Sequence, residues 1–202
     1  MVMRLFRRSL DLSLADVRPA TLDDLGAISR LLRHGAHHYA SYPYPHLPAL
    51  LAGAPAVVLS AGREVWAAAV ASWNVQGASW VRAFGIGDGL LVGPVFDALL
   101  PLFHEQLRAQ QVQAVFYAGD EAADLWMQPG LGARGYVRET DVVVYEQVTL
   151  EVPAAGNSAA RVRRAEPVDL PDVLAVDRAC FSAHWTKDDQ VLGQAIFEAP
   201  FF

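Results

Sequence analysis

At 202 residues the chain has room for one well-buried domain and part of a second. Its residues are 53% hydrophobic and 19% charged, which excludes a disordered chain, and a formal net charge of −6 argues against a nucleic-acid binder held by its overall field. A single cysteine, Cys180, excludes an internal disulfide, while the lack of a bilayer-length apolar run or a secretory leader makes a cytoplasmic protein the expectation, with neither membrane nor nucleic acid as partner.

Beyond an N-terminal tail (residues 1–15), Asp16–Ala20 predicts a short strand, and Thr21 with Asp24 supplies an N-cap hydroxyl and an acid three residues on. The helix that follows carries Leu25, Ile28, Leu31 and Leu32 at helical spacing. The stretch HGAHHYASYPYPHLP (residues 34–48) is rich in Pro, Tyr and His and reads as a loop or broken helix. From Ala56, AVVLSAGREVWAAAVASW holds two apolar runs about a Gly-Arg turn, a hairpin of buried strands. Ala78–Ile86 is a third apolar strand and ends in the glycine-rich GIGDGLLVGP. Phe96, Leu99, Leu100, Phe103 and Leu107 predict an amphipathic helix over Phe96–Gln110, with Pro101 delaying its start or bending it. Val112–Gly119 reads as a strand, Pro129-Gly130 leaves little room for a helix before Gly135-Tyr136, and Tyr136–Leu150 reads as a further strand or two. The order is that of an α+β domain built on one mixed central sheet.

After a small, polar linker (residues 152–160) the opening returns: VRRAEPVDLPDVL from Val162 repeats VRPATLDDLGAI from Val17, with Arg163 matching Arg18, Ala165 Ala20, Asp169 Asp24 and Leu170 Leu25. Both copies are a strand end, a helix cap and the start of an apolar helical face. The face formed by Leu170, Val173, Leu174 and Val176 needs cover, from the first domain or from a second copy in a homodimer.

The order of these elements resembles the GNAT N-acetyltransferase superfamily over residues 16–151. The repeat resembles a tandem arrangement in which residues 161–202 supply the N-terminal strand-helix part of a second, incomplete domain. The resemblance implies a mixed sheet flanked by helices and splayed between Ala78–Ile86 and Val112–Gly119, with acetyl-CoA in the gap. It implies that backbone groups at Phe84, Gly85 and Ile86 bond the pantetheine arm, and that the turn bearing Gly89, Gly93 and Val95 holds the pyrophosphate, as helix N-terminal amides favour an anion. The family's polar-x-x-Gly-x-small turn is altered, with Leu90 and Val95 at its ends, Pro94 removing an amide donor, and Asp88 nearby. Leu131 stands where a tyrosine commonly protonates the departing thiolate.

The implied activity is acetyl transfer from acetyl-CoA to an amine of a small molecule or peptide. The alternative is an inactive GNAT-like domain acting as a scaffold or ligand-sensing module. Tyr117 and Glu121, with Asp120, follow the strand bordering the cleft and are the candidates for proton transfer, though such carboxylates commonly cap a following helix. His34, His37 and His38 lack a third ligand and predict no metal site. Tyr39, Tyr42 and Tyr44 fall where acceptors enter in the family, or else pack around the prolines. Trp66, Trp73, Trp80 and Trp126 read as core or interface, and Cys180 as a buried, inert thiol.

Overall fold

Arg18 and Asp24 lock the first strand-to-helix turn. In the structure, a computed structural model describing residues 10–41, 46–141, 156–182, 184–187, 189, 192–193 and 196, the Arg18 guanidinium donates to both Asp24 carboxylate oxygens at 2.8 and 2.7 Å. The same carboxylate accepts the Thr21 amide at 2.9 Å, closing the predicted cap. Strand β1 (Asp16–Pro19) therefore runs through a 3-10 turn (Leu22–Asp24) into helix α1 (Leu25–His34), which buries Ile28, Leu31 and Leu32.

The chain divides into two units, Met1–Tyr136 and Val137–Phe202. The first holds six strands among the described residues. Where the sequence reads as a loop or broken helix, strand β2 (His37–Ala40) and helix α2 (Leu47–Gly53) form instead. The predicted hairpin is β3 (Ala56–Ala61) with β4 (Glu64–Ala71), followed by β5 (Ala78–Ile86). The expected strand over Val112–Gly119 contracts to β6 (Ala114–Phe116). The strand order is β1-β3-β4-β5-β2, antiparallel throughout, and β6 joins β5 in parallel.

Helices cover both faces, and so the central strands read as unbroken apolar runs whose side chains alternate between two cores. Ala56, Val58, Ala68, Val70 and Ala83 pack with α1 and α2. Val57, Leu59, Ala67, Ala69, Val81, Phe84 and Ile86 pack on the other face, with Phe96, Leu99 and Phe103 of α3 (Val92–Ala109) and Met127 of α4 (Glu121–Gly132).

Helix α3 starts four residues before Phe96 and continues through Pro101. That proline is exposed, so the carbonyl of Asp97 that it leaves unpaired falls on the solvent side. Helix α4 likewise continues through Pro129, because Asp120 caps it by accepting the Ala123 amide at 2.8 Å and acids occupy its first turn. Pro129 releases the carbonyl of Leu125, a residue 83% exposed. Residues 136–141 form no strand, and the rest of the strand expected up to Leu150 lies outside the described residues, as does part of the expected linker.

In the second unit, Arg163 donates to both Asp169 carboxylate oxygens at 2.6 Å, and the Glu166 amide donates to the same carboxylate at 2.8 Å. A 3-10 turn (Pro167–Asp169) then leads into α5 (Leu170–Cys180). The internal geometry of the repeat thus reproduces that of residues 18–34. Among the described residues no helix is long and apolar enough to cross a membrane.

Candidate functional site

Strand β5 is where the sheet changes character. One edge pairs with β4 along its length, from Ala71 opposite Val81 to Ala67 opposite Ile86, with Arg82 an extra residue that bulges the strand. The other edge is shared. Ala78–Trp80 pair in parallel with Ala114–Phe116, after which β6 ends. Beyond that point Ala83–Ile86 pair antiparallel with β2, Tyr39 opposite Phe84 and His38 opposite Gly85. The Ser41 amide extends this ladder to the Arg82 carbonyl at 2.8 Å.

The parting of β5 and β6 is therefore a wedge with a strand of the same chain inside it. Tyr39 spans it: its ring is buried, and its hydroxyl donates to the Ala118 carbonyl at 2.6 Å. The ring meets Tyr117 edge-on with centroids 4.9 Å apart, while His37 lies 5.3 Å from Trp126 of α4. Tyr117 in turn donates to Asp124 at 3.0 Å. Burial first, and then that carboxylate, push the Tyr117 phenol well above its ordinary range. Burial also raises the Tyr39 phenol above its ordinary value. Both phenols stay protonated at neutral pH.

Past Ile86 the chain turns at Gly89, which has a φ of +87°, and enters α3 behind Leu91. The Val92 and Gly93 amides head the helix, where no intrahelical acceptor reaches them. Pro94 contributes no donor. Leu90 is buried, and Val95 points into the core with 0% exposure. Arg134, a residue the sequence reading passed over, crosses to this turn. It donates to the carbonyls of Gly93 at 2.6 Å and Gly130 at 2.8 Å and to Asp97 at 2.9 Å, with its guanidinium 5.4 Å from the Phe96 ring centre. Its donors are engaged in joining the two helices.

The structure brings Tyr117 and Tyr39 together at the wedge, while Glu121 is exposed on the first turn of α4. Asp120 serves as that helix's cap. His38 donates through Nδ1 to the Gly35 carbonyl at 3.2 Å. Phe84 and Ile86 have buried side chains, and the backbone of Phe84–Ile86 is paired on both sides. Leu131, where the resemblance expects a tyrosine, is buried in the core. Tyr136 instead pairs its hydroxyl with His104 Nε2 at 2.7 Å, and burial pushes its phenol up to about 12. Cys180 is exposed rather than buried. Tyr42 and Tyr44 lie outside the described residues. No sequence signal marked β2, because four residues between a glycine and a proline-rich run are too few to show a period.

No protein-family model and no curated protein matches the sequence. Solved structures match the fold. An aminoglycoside acetyltransferase, meta-AAC0020, from an uncultured soil metagenomic sample aligns with a TM-score of 0.51 at 12% identity, over 68% of this chain and 98% of its own. The aminoglycoside acetyltransferase AAC(6')-Iy aligns with a TM-score of 0.51 at 14% identity, over 67% and 99%. A ribosomal-protein-alanine N-acetyltransferase from Brucella melitensis biovar Abortus 2308 aligns with a TM-score of 0.50 at 11% identity, over 66% and 99%. Over about two-thirds of its length, this chain has the fold of the GNAT acetyltransferases.

Proposed function

We propose that the first unit moves an acetyl group from acetyl-CoA to an amine of a small molecule or peptide. The observation that carries this reading is the parting of β5 and β6 after three paired residues, directly ahead of the turn into α3. A sheet edge beside a helix N-terminus suits an amide-bearing arm joined to a pyrophosphate. Among the similar folds, AAC(6')-Iy occurs in complex with the bisubstrate analogue CoA-S-monomethyl-acetylneamine. In this reading Phe84, Gly85 and Ile86 offer backbone groups to the pantetheine arm, and the turn through Gly89, Gly93 and Val95 faces the phosphates. Tyr117, held protonated, is the candidate proton donor, and Glu121 the candidate base acting through water.

The fit is partial. Two amides at the head of α3 suit a phosphate, whereas Leu90, Pro94 and Val95 add nothing to the cradle. The backbone edge of Ala83–Ile86 is already taken by β2, so the described arrangement does not admit the arm while β2 is in place. The same observation favours a second reading, a non-catalytic GNAT-like scaffold or sensing module. We infer also that residues from Arg161 onward begin a second copy of the fold, supported by the recurrence of the Arg18–Asp24 turn at Arg163–Asp169.

The test is to incubate the chain with acetyl-CoA and separate amines (an aminoglycoside, a polyamine, a peptide N-terminus) and follow free thiol. Amine-dependent thiol release is expected. Acetyl-CoA bound without release to any amine would favour the sensing module, and no binding would remove the transferase reading.

A further inference from the structure

We infer that β2 is an internal occupant of the acetyl-CoA cleft, a strand that closes the wedge in this structure and must leave for the co-substrate to enter. The inference rests on the acetyl-CoA reading above and concerns the regulation of that same site. An extended strand and an amide-bearing arm make the same demand on a sheet edge, alternating donors and acceptors in line. Ala83–Ile86 can satisfy one of them at a time, and in this structure they satisfy His37–Ala40.

The strand is held at both lips. The backbone of Tyr39 is in register with Phe84 on β5, and its hydroxyl reaches the Ala118 carbonyl just past the end of β6. One residue thus ties together the two strands whose parting defines the wedge. His37 adds a ring contact to Trp126. The approach to the strand is built for close contact: a Cβ on Gly35 would stand 2.6 Å from the Leu31 carbonyl oxygen and 2.7 Å from that of Ile86. Any larger residue there pushes the chain off the end of β5. Against these ties, β2 is only four residues long and Tyr39 is its one buried side chain. A short ladder with so little buried apolar surface opens locally at far less free energy than the unit unfolds.

A closed strand lowers apparent affinity in proportion to the fraction of molecules in which it is open. Tyr39→Phe removes one hydrogen bond that holds it shut, which predicts roughly fivefold tighter acetyl-CoA binding. Gly35→Ala displaces the strand by sterics and works in the same direction through a different atom.

The experiment is calorimetric titration of the full chain, Tyr39→Phe and Gly35→Ala with acetyl-CoA, together with hydrogen exchange of the Tyr39 and Ser41 amides, which face β5, in each state. Expected are tighter binding by both variants and loss of protection at the Tyr39 and Ser41 amides when acetyl-CoA saturates the wild type. Binding to the wild type with the Tyr39 and Ser41 amides still protected, and no gain in the variants, would overturn the inference while leaving acetyl transfer to the thiol assay. If exchange shows the strand released in a variant and acetyl-CoA still does not bind, both readings fall and β2 is an ordinary strand of the sheet.

Discussion

Asp24 shows how one ion pair can serve a whole element. Its side chain is 8% exposed, yet it stays ionised because Arg18 grips both oxygens from a position 42% exposed, and the Thr21 amide takes a third site. Hydrogen bonds from Arg18 are the largest influence holding its carboxyl below the ordinary value, against the opposing pull of burial. The sign of the pH dependence follows. A carboxyl with a depressed folded-state pKa contributes stability above its unfolded value of about 3.9, and that contribution is lost as pH falls through the folded value. Arg18→Ala should therefore lower stability at pH 7 by about 1–2 kcal/mol, a range kept modest by the exposure of the arginine. The gap should shrink at a pH below the depressed folded-state value, where the carboxyl is protonated in both proteins. Urea unfolding at the two pH values checks this, and a gap of equal size at both would show that Arg18 acts through packing alone.

At the scale of elements, long periodic segments were legible and short or proline-bearing ones were not. β5 matches its predicted span, and the hairpin of β3 and β4 its predicted turn, because runs of six to nine apolar residues have few other ways to be buried. β2 has four residues and draws its stability from a neighbour far away in sequence. The local proline rule delays the start of α3 and leaves little room for α4, since it counts a lost hydrogen bond and cannot see that the freed carbonyl faces water while the opposite side packs in the core. The packing that overrides the proline in α4 has a specific residue behind it. A Cβ on Gly130 would drive into the ring of Phe96, which is fully buried, so α3 and α4 approach over a missing side chain and Arg134 bridges them beside it. Gly130→Ala should lower stability by roughly 1–3 kcal/mol through overpacking. Gly26→Ala, on the exposed side of α1 with nothing within 4 Å of a new Cβ, should instead be neutral or raise stability by up to about 1 kcal/mol. Thermal denaturation of the two variants decides it, and a loss of equal size in both would mean that glycine content rather than contact is being measured. The site followed the same division. The wedge was legible as two strands in the right order, whereas its occupant and the Tyr39 tie depend on tertiary pairing that no local pattern encodes.

For the whole molecule, the same seven-residue device occurs twice in different surroundings. In the first unit, the Arg18–Asp24 turn feeds a helix whose apolar residues enter a core closed on both faces of the sheet. In the second, the arginine and aspartate of the Arg163–Asp169 turn are 56% and 21% exposed, and Val168, Val176 and Phe181 around α5 are all more than half exposed. Identical local chemistry should then have unequal consequences, because an ion pair is screened according to its access to water and salt. Amide exchange separates the two. In low salt, α5 should be protected less than β3–β5, and raising the salt to about 1 M, where screening acts within about 3 Å, should erode protection at residues 170–180 while leaving β4 unchanged. Arg163→Ala should produce the same local loss without added salt, and Arg18→Ala should shift exchange across the first unit. If Arg163→Ala instead lowered the protection of β4 as much as that of α5, the two units would be one cooperative structure, and the second could not be treated as the independent beginning of another domain.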